Sequence, residues 1–157
     1  DELRPIIKNL VALNKELGLQ AIYQNHSGSN YVGAPLWDLH DLFKAHDPNH
    51  LSVGFDMSHA TAEGTRAWPL HANLLRPRIG ALYVKSFRWQ DNKRDNCALV
   101  DGIVDKKYPG QLIKSGYTGP INLHVEYLKP FTKENVPNQI VAIKKDILTL
   151  KEWLNWS

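Results

Sequence analysis

Four short, mostly apolar runs, each breaking off in polar residues, set the strongest limit on what this chain can become. They are Ala21-Ile22-Tyr23-Gln24-Asn25-His26, Leu51-Ser52-Val53-Gly54-Phe55-Asp56, Gly80-Ala81-Leu82-Tyr83-Val84-Lys85-Ser86 and Pro120-Ile121-Asn122-Leu123-His124-Val125-Glu126. Runs this short, apolar through their middle, read as strands buried in a parallel sheet. In folds built from parallel strands, ligands bind beyond the C-terminal strand ends, which is where these polar residues stand.

Helical patterns fill the intervals. Leu3, Ile6, Ile7, Leu10, Leu13 and Leu17 form an i, i+3, i+4 stripe over residues 1–18, closed by Gly18. Pro35 opens a second helix over 35–46, with Trp37, Leu39, Leu42 and Phe43 on its apolar side. A third is expected over 64–76, with Trp68, Leu74 and Leu75 inward and Pro69 as an alternative first turn. A fourth spans 107–115, and a last one starts at Pro137 with Ile140, Ile143, Ile147, Leu150 and Leu154 at helical spacing. These Leu, Ile and Trp stripes are expected to be core. Residues 27–33 and, at greater length, 88–105 read as polar loops.

The order α-βα-βα-βα-βα calls for right-handed crossovers and a parallel α/β sheet. Four βα units are half of a (β/α)₈ barrel. The expected fold is therefore a TIM barrel of which residues 1–157, as a single domain, are the second half. A small open α/β sheet is the alternative. The only methionine is Met57, which fits a chain whose first strands precede this sequence. Half a barrel leaves two sheet edges open, so association into a homo-oligomer is expected.

Composition narrows the function classes. At 157 residues, 43% hydrophobic and 22% charged, the chain reads as a soluble globular domain with a real core. No apolar run approaches the ~20 residues of a membrane span. The net charge of +3 is spread among acids, which argues against a nucleic-acid partner. Cys97 is the only cysteine, which rules out an internal disulfide framework and a thiolate metal site and suits cytoplasm or periplasm alike.

Strand alternation places Gln24 with His26, Gly54 with Asp56, Tyr83 with Lys85, and Asn122 with His124 and Glu126 on common faces. Carboxylates brought together at the mouth of a barrel require a cation, either a divalent metal or Lys85. Taken in order, the motifs resemble the xylose-isomerase-like sugar phosphate isomerase/epimerase superfamily of TIM barrels. Gln24-Asn25-His26-Ser27-Gly28 stands where that family often has Glu-Asn-His-Gly-Gly, and Asp56 with His59 matches its Asp-x-x-His. Tyr83-Val84-Lys85 stands at its His-x-Lys, and Val125-Glu126 at its last acidic ligand. Asp101-Gly102 and the stretch from Leu112 to Gly119 resemble its approach to the final strand.

The resemblance implies a divalent metal (Mn²⁺, Mg²⁺ or Zn²⁺) held by Asp56 and Glu126, with Gln24 offering a carbonyl oxygen. Gln24 and Tyr83 replace the expected Glu and His ligands, so imidazole would have to come from His26, His59 or His124. The function it implies is an isomerase or epimerase taking a proton from a carbon next to a sugar carbonyl. Glu126, Lys85 and Asp56 would be catalytic, and His26, His59, Arg88, Trp89 and His124 would contact the sugar. A non-catalytic carbohydrate-binding barrel with a degenerate metal site is the second reading. A phosphodiesterase like the superfamily's abasic-site endonucleases is the third, and this chain has few of the His and Glu ligands that such zinc sites use.

Overall fold

The computed structural model describes residues 2–156, so Asp1, the first residue of the expected leading helix, lies outside them. Six helices and six strands follow in the order α1 Leu3–Leu17, β1 Ala21–Gln24, α2 Leu36–Phe43, β2 Leu51–Asp56, α3 Met57–Gly64, α4 Trp68–Leu75, β3 Ile79–Val84, β4 Ser86–Gln90, β5 Lys93–Cys97, α5 Tyr108–Lys114, β6 Ile121–Leu123 and α6 Val136–Leu154. A four-stranded parallel sheet runs β1-β2-β3-β6, and β4 and β5 form a separate two-stranded sheet. The chain divides into two compact units that meet at Leu82 and Tyr83, inside β3.

In the first unit, α1 stops where Gly18 enters the left-handed region at φ 65°, its N–H turned back to the carbonyls of Asn14 and Lys15. Strand β1 lies parallel to β2 in a register that sets Ala21 opposite Leu51 and Gln24 opposite Gly54. All six residues of β2 are buried, as a central strand requires, whereas Ile22 and Tyr23 of β1 are more than a third exposed. A side chain at Gly80 would put its Cβ 2.2 Å from the Ser52 hydroxyl, so only glycine lets β3 lie this close. Phe55, Leu39, Leu36, Leu75 and Leu82 fill the core of this unit.

Several expectations need correction. The helix expected over 64–76 is the shorter Trp68–Leu75, and an unexpected helix precedes it. Helix α3 begins directly after β2 because Asp56 caps it, accepting N–H bonds from Ser58 and His59. Pro69 sits in the first turn of α4, where its missing N–H costs nothing. On α4, Trp68, Ala72 and Leu75 are buried while Leu74 is 40% exposed, one position off the inward face.

The polar loop expected over 88–105 contains a hairpin. Ser86–Gln90 pairs antiparallel with Lys93–Cys97 around Asp91 and Asn92, whose φ values of 49° and 59° are those of a two-residue primed turn. The pairing sets Phe87 opposite Asn96 and Arg88 opposite Asp95.

The apolar stripes are the largest departure. Leu3, Ile6, Leu10, Leu13 and Leu17 of α1 are all exposed, as are Ile140, Ile143 and Ile147 of α6 and Trp37 of α2. Helix α1 docks through a different face, where Asn14 is buried and donates to the His50 carbonyl at 2.8 Å and Arg4 pairs with Asp41. Helix α6 buries Ala142, Asp146, Leu150 and Leu154. Periodicity identifies an apolar face but not what covers it, and among the described residues nothing covers these.

Candidate functional site

The polar strand ends build two clusters, one in each unit. The first centres on Asp56, which is fully buried. Its Oδ1 accepts the backbone N–H groups of Ser58 and His59 at 3.0 and 3.1 Å, and its Oδ2 accepts the Gln24 side-chain amide at 2.8 Å. The β1–β2 register makes the last bond possible, because Gln24 stands opposite Gly54, two residues before Asp56 on the same face. Asn25 fastens the two strand ends together. It donates to the Asp56 carbonyl at 3.1 Å and accepts the Asp56 N–H at 2.7 Å.

His59 is also buried, and its tautomer follows from its partners. The Ser27 N–H points at Nδ1 from 3.1 Å, so Nδ1 is an acceptor and the Ser27 hydroxyl, 2.8 Å away, donates to it as well. The ring proton therefore sits on Nε2, 3.8 Å from Asp56 Oδ2. His26 stacks on His59 with ring centres 3.8 Å apart and on Tyr31 at 4.1 Å.

The second cluster centres on Lys85 and Glu126, which follow β3 and β6. Lys85 is buried, and its ammonium donates to both carboxylate oxygens of Glu126 at 3.2 and 3.1 Å. The Glu126 side chain is 39% exposed, so the pair joins an inner cation to an outer acid. His124 Nδ1 lies 3.4 Å from Oε1, and Asn96 of the hairpin donates to Oε2 at 3.5 Å. Tyr83 meets the His124 ring edge to face at 4.9 Å. Of the residues expected to share a face, His124 approaches Glu126; across strands, Gln24 reaches Asp56 and Tyr83 touches His124.

Arg88 and Trp89 project from the exposed part of the hairpin. Arg88 pairs with Asp95 across the strands at 3.1 Å, and Trp89 packs edge-on against Phe87 at 5.2 Å. A groove of about 970 Å³ between residues 99–114 and 149–155 contains none of the candidate residues.

A model of the xylose isomerase-like TIM barrel matches residues 1–153. The chain belongs to that family. Solved xylose isomerase-like barrels share its fold. A D-tagatose 3-epimerase-like protein aligns with TM-score 0.66 and 16% identity over 95% of this chain and 54% of its own. A xylose isomerase domain protein from Planctomyces limnophilus gives 0.65 and 19% over 98% and 53%. The probable 3-DHS dehydratase of Bacillus anthracis gives 0.67 and 18% over 94% and 56%. The chain therefore spans about half the length of these xylose isomerase-like relatives. No curated protein matches it.

The metal that the xylose isomerase-like fold implies does not fit the residues present. Among the described residues no group of three or more His, Cys, Asp and Glu is placed to hold an ion. Asp56 directs both oxygens at protein N–H groups, and Glu126 directs both at Lys85. No step is routed through a metal below.

Three contributors are not among the candidate residues that the sequence suggests. Ser27 lies in a polar loop, and only the fold brings it to His59. Asn96 lies in the unrecognised hairpin, and its Oδ1 is buried with no hydrogen-bond partner among the described residues. Asp146, buried on α6, accepts the Leu99 N–H at 3.1 Å and the Tyr127 hydroxyl at 3.0 Å, which anchors the residue next to Glu126. Burial pushes the Asp146 carboxyl above the ordinary carboxylate range. Burial, and then the Asp146 charge, pushes the Tyr127 phenol up as well.

Proposed function

We propose that this chain supplies the proton-transfer residues of an enzyme acting on a sugar or keto-sugar, in the manner of an isomerase or epimerase. Its span of about half the relatives' length makes the proposal one about the residues this half contributes. The observation that carries it is the Lys85–Glu126 pair. A buried ammonium is costly without a purpose or a partner, and here it holds a carboxylate that remains open to solvent.

Proton transfer would run as follows. A proton on the carbon next to the carbonyl passes to a Glu126 oxygen, and the electron pair moves onto the carbonyl oxygen as an enediolate. The Lys85 ammonium stabilises that charge. Return of the proton to the former carbonyl carbon, with the hydroxyl proton of the first carbon passing to the former carbonyl oxygen, isomerises the sugar. Protonation of the first carbon from the other face by a second donor epimerises it. Expulsion of a neighbouring hydroxyl instead gives dehydration. The likeness to an epimerase-like protein and to a probable dehydratase supports this range of outcomes. His124 and Asn96 would orient Glu126, while His26, His59 and the hairpin's Arg88 and Trp89 would meet sugar hydroxyls or ring faces. Asp56 would hold His59 and the strand ends in place.

One observation favours the second reading, sugar binding without turnover: both Glu126 oxygens already accept hydrogen bonds from Lys85. Proton NMR in D₂O with a panel of ketopentoses and ketohexoses decides between them. Turnover predicts loss of a carbon-bound proton signal, slowed about 100-fold or more in Glu126→Gln while sugar binding persists. Binding by the wild type with no exchange selects the second reading.

A further inference from the structure

We propose that the Gln24 side-chain amide takes the place of a divalent cation beside Asp56, so that this buried carboxylate is held without a metal. Gln24 and Asp56 both lie in the first unit, and the inference stands on their geometry alone, independent of whether Glu126 turns over a sugar.

An ionised carboxylate accepts hydrogen bonds and cannot donate them. Its neighbour at 2.8 Å must therefore present N–H, which identifies the Gln24 group facing Oδ2 as its NH₂. A metal would demand the opposite arrangement, with Gln24 turned to offer Oε1 and Asp56 Oδ2 released to the ion. The two states exclude each other because the Gln24 amide can turn either its NH₂ or its Oε1 to that position, not both. Three neutral N–H donors, from Gln24, Ser58 and His59, already converge on this fully buried group. These hydrogen bonds replace the ones to water that burial removes, which is part of the service a cation would provide.

The arrangement is fixed from outside as well. Asn25 ties the end of β1 to Asp56 through both backbone groups, and the Gln24–Gly54 register sets the reach of the amide. The Asp56 carboxylate is thus held from the strand side by Gln24 and from the helix side by the first turn of α3.

The test reads metal binding and melting temperature rather than activity. Protein stripped with EDTA is titrated with Mn²⁺ while free Mn²⁺ is followed by electron paramagnetic resonance, and melting is recorded with and without about 1 mM Mn²⁺. The wild type should take up no Mn²⁺ that Asp56→Asn fails to take up, and its melting temperature should not move. Gln24→Glu puts a second carboxylate against the first. Its melting temperature should fall by several degrees in EDTA and recover with Mn²⁺, and adding Asp56→Asn should remove that recovery.

Uptake of one Mn²⁺ by the wild type that Asp56→Asn loses overturns the proposal. So does a folded Gln24→Glu protein that gains no Mn²⁺. If Gln24→Glu does not fold, Gln24→Met decides. Removing the amide donor should lower the melting temperature equally with and without Mn²⁺, whereas a wild-type melting temperature in EDTA overturns the inference.

Discussion

Asp56 and Glu126 are both acids at the ends of parallel strands, and the chain holds them in different ways. Asp56 is fully buried and accepts neutral donors fixed by backbone and register. Glu126 is partly exposed and is matched by a single buried cation. Oriented dipoles stabilise charge without adding any, and they make a rigid anchor. An ion pair at an opening keeps one partner accessible, which is what proton transfer requires. The same residue class at equivalent strand ends thus serves as scaffold in one unit and as candidate reactive group in the other.

The largest effect should come from the anchor. Asp56→Ala removes the α3 cap and strands the Gln24 amide and two N–H groups, so urea unfolding should show a loss of about 3–5 kcal/mol. A loss below about 1 kcal/mol would break the comparison, since the donors would then have found water.

The ion pair should respond asymmetrically. Glu126→Ala takes the carboxylate from a buried ammonium and should cost about 2–3 kcal/mol. Lys85→Met leaves a Glu126 that water can reach and should cost only about 1 kcal/mol. It should still abolish carbon–proton exchange if Lys85 stabilises the enediolate. Equal losses of stability would mean that the two charges are equally buried.

Asp146 sharpens the contrast as a second buried acid held by neutral donors. Burial raises its native carboxyl above the ordinary aspartate value of 3.8, so the native state binds the proton more tightly than the unfolded chain does. The stability it contributes is complete below about pH 3.8 and is lost as pH rises through the raised native value. Wild type minus Asp146→Asn, followed by urea unfolding between acid and neutral pH, should show that decline. A flat difference would show that the Leu99 and Tyr127 hydrogen bonds cancel the desolvation.

The smallest effect belongs to the hairpin that carries Asn96. Asn92 has φ 59°, and Asn92→Gly should stabilise by about 0.5 kcal/mol or less without changing carbon–proton exchange. A change in exchange would place the hairpin's conformation, and not only its side chains, in control of Glu126.

Much of the fold could be read before any coordinates. Strand β2 has the bounds that its apolar run suggests, Gly18 ends α1, and His124 approaches Glu126 as alternation suggested. Helix α3 escaped because Met57-Ser58-His59-Ala60 lacks an amphipathic period; a cap and burial on all sides hold it instead. The β4–β5 hairpin escaped because its strand residues are polar, although the Asp91-Asn92 pair was a legible turn signal.

Local chemistry determined the element types and the identity of the polar strand ends, because periodicity and turn preferences act over a few residues. Partner choice lay beyond it. Whether Asp56 meets a metal or an amide depends on a register that joins residues 32 apart, and Glu126 meets Lys85 across 41. The stripes of α1 and α6 carry the same lesson. Their spacing announces an apolar face, but burial is a property of what packs against it, which no window of sequence contains.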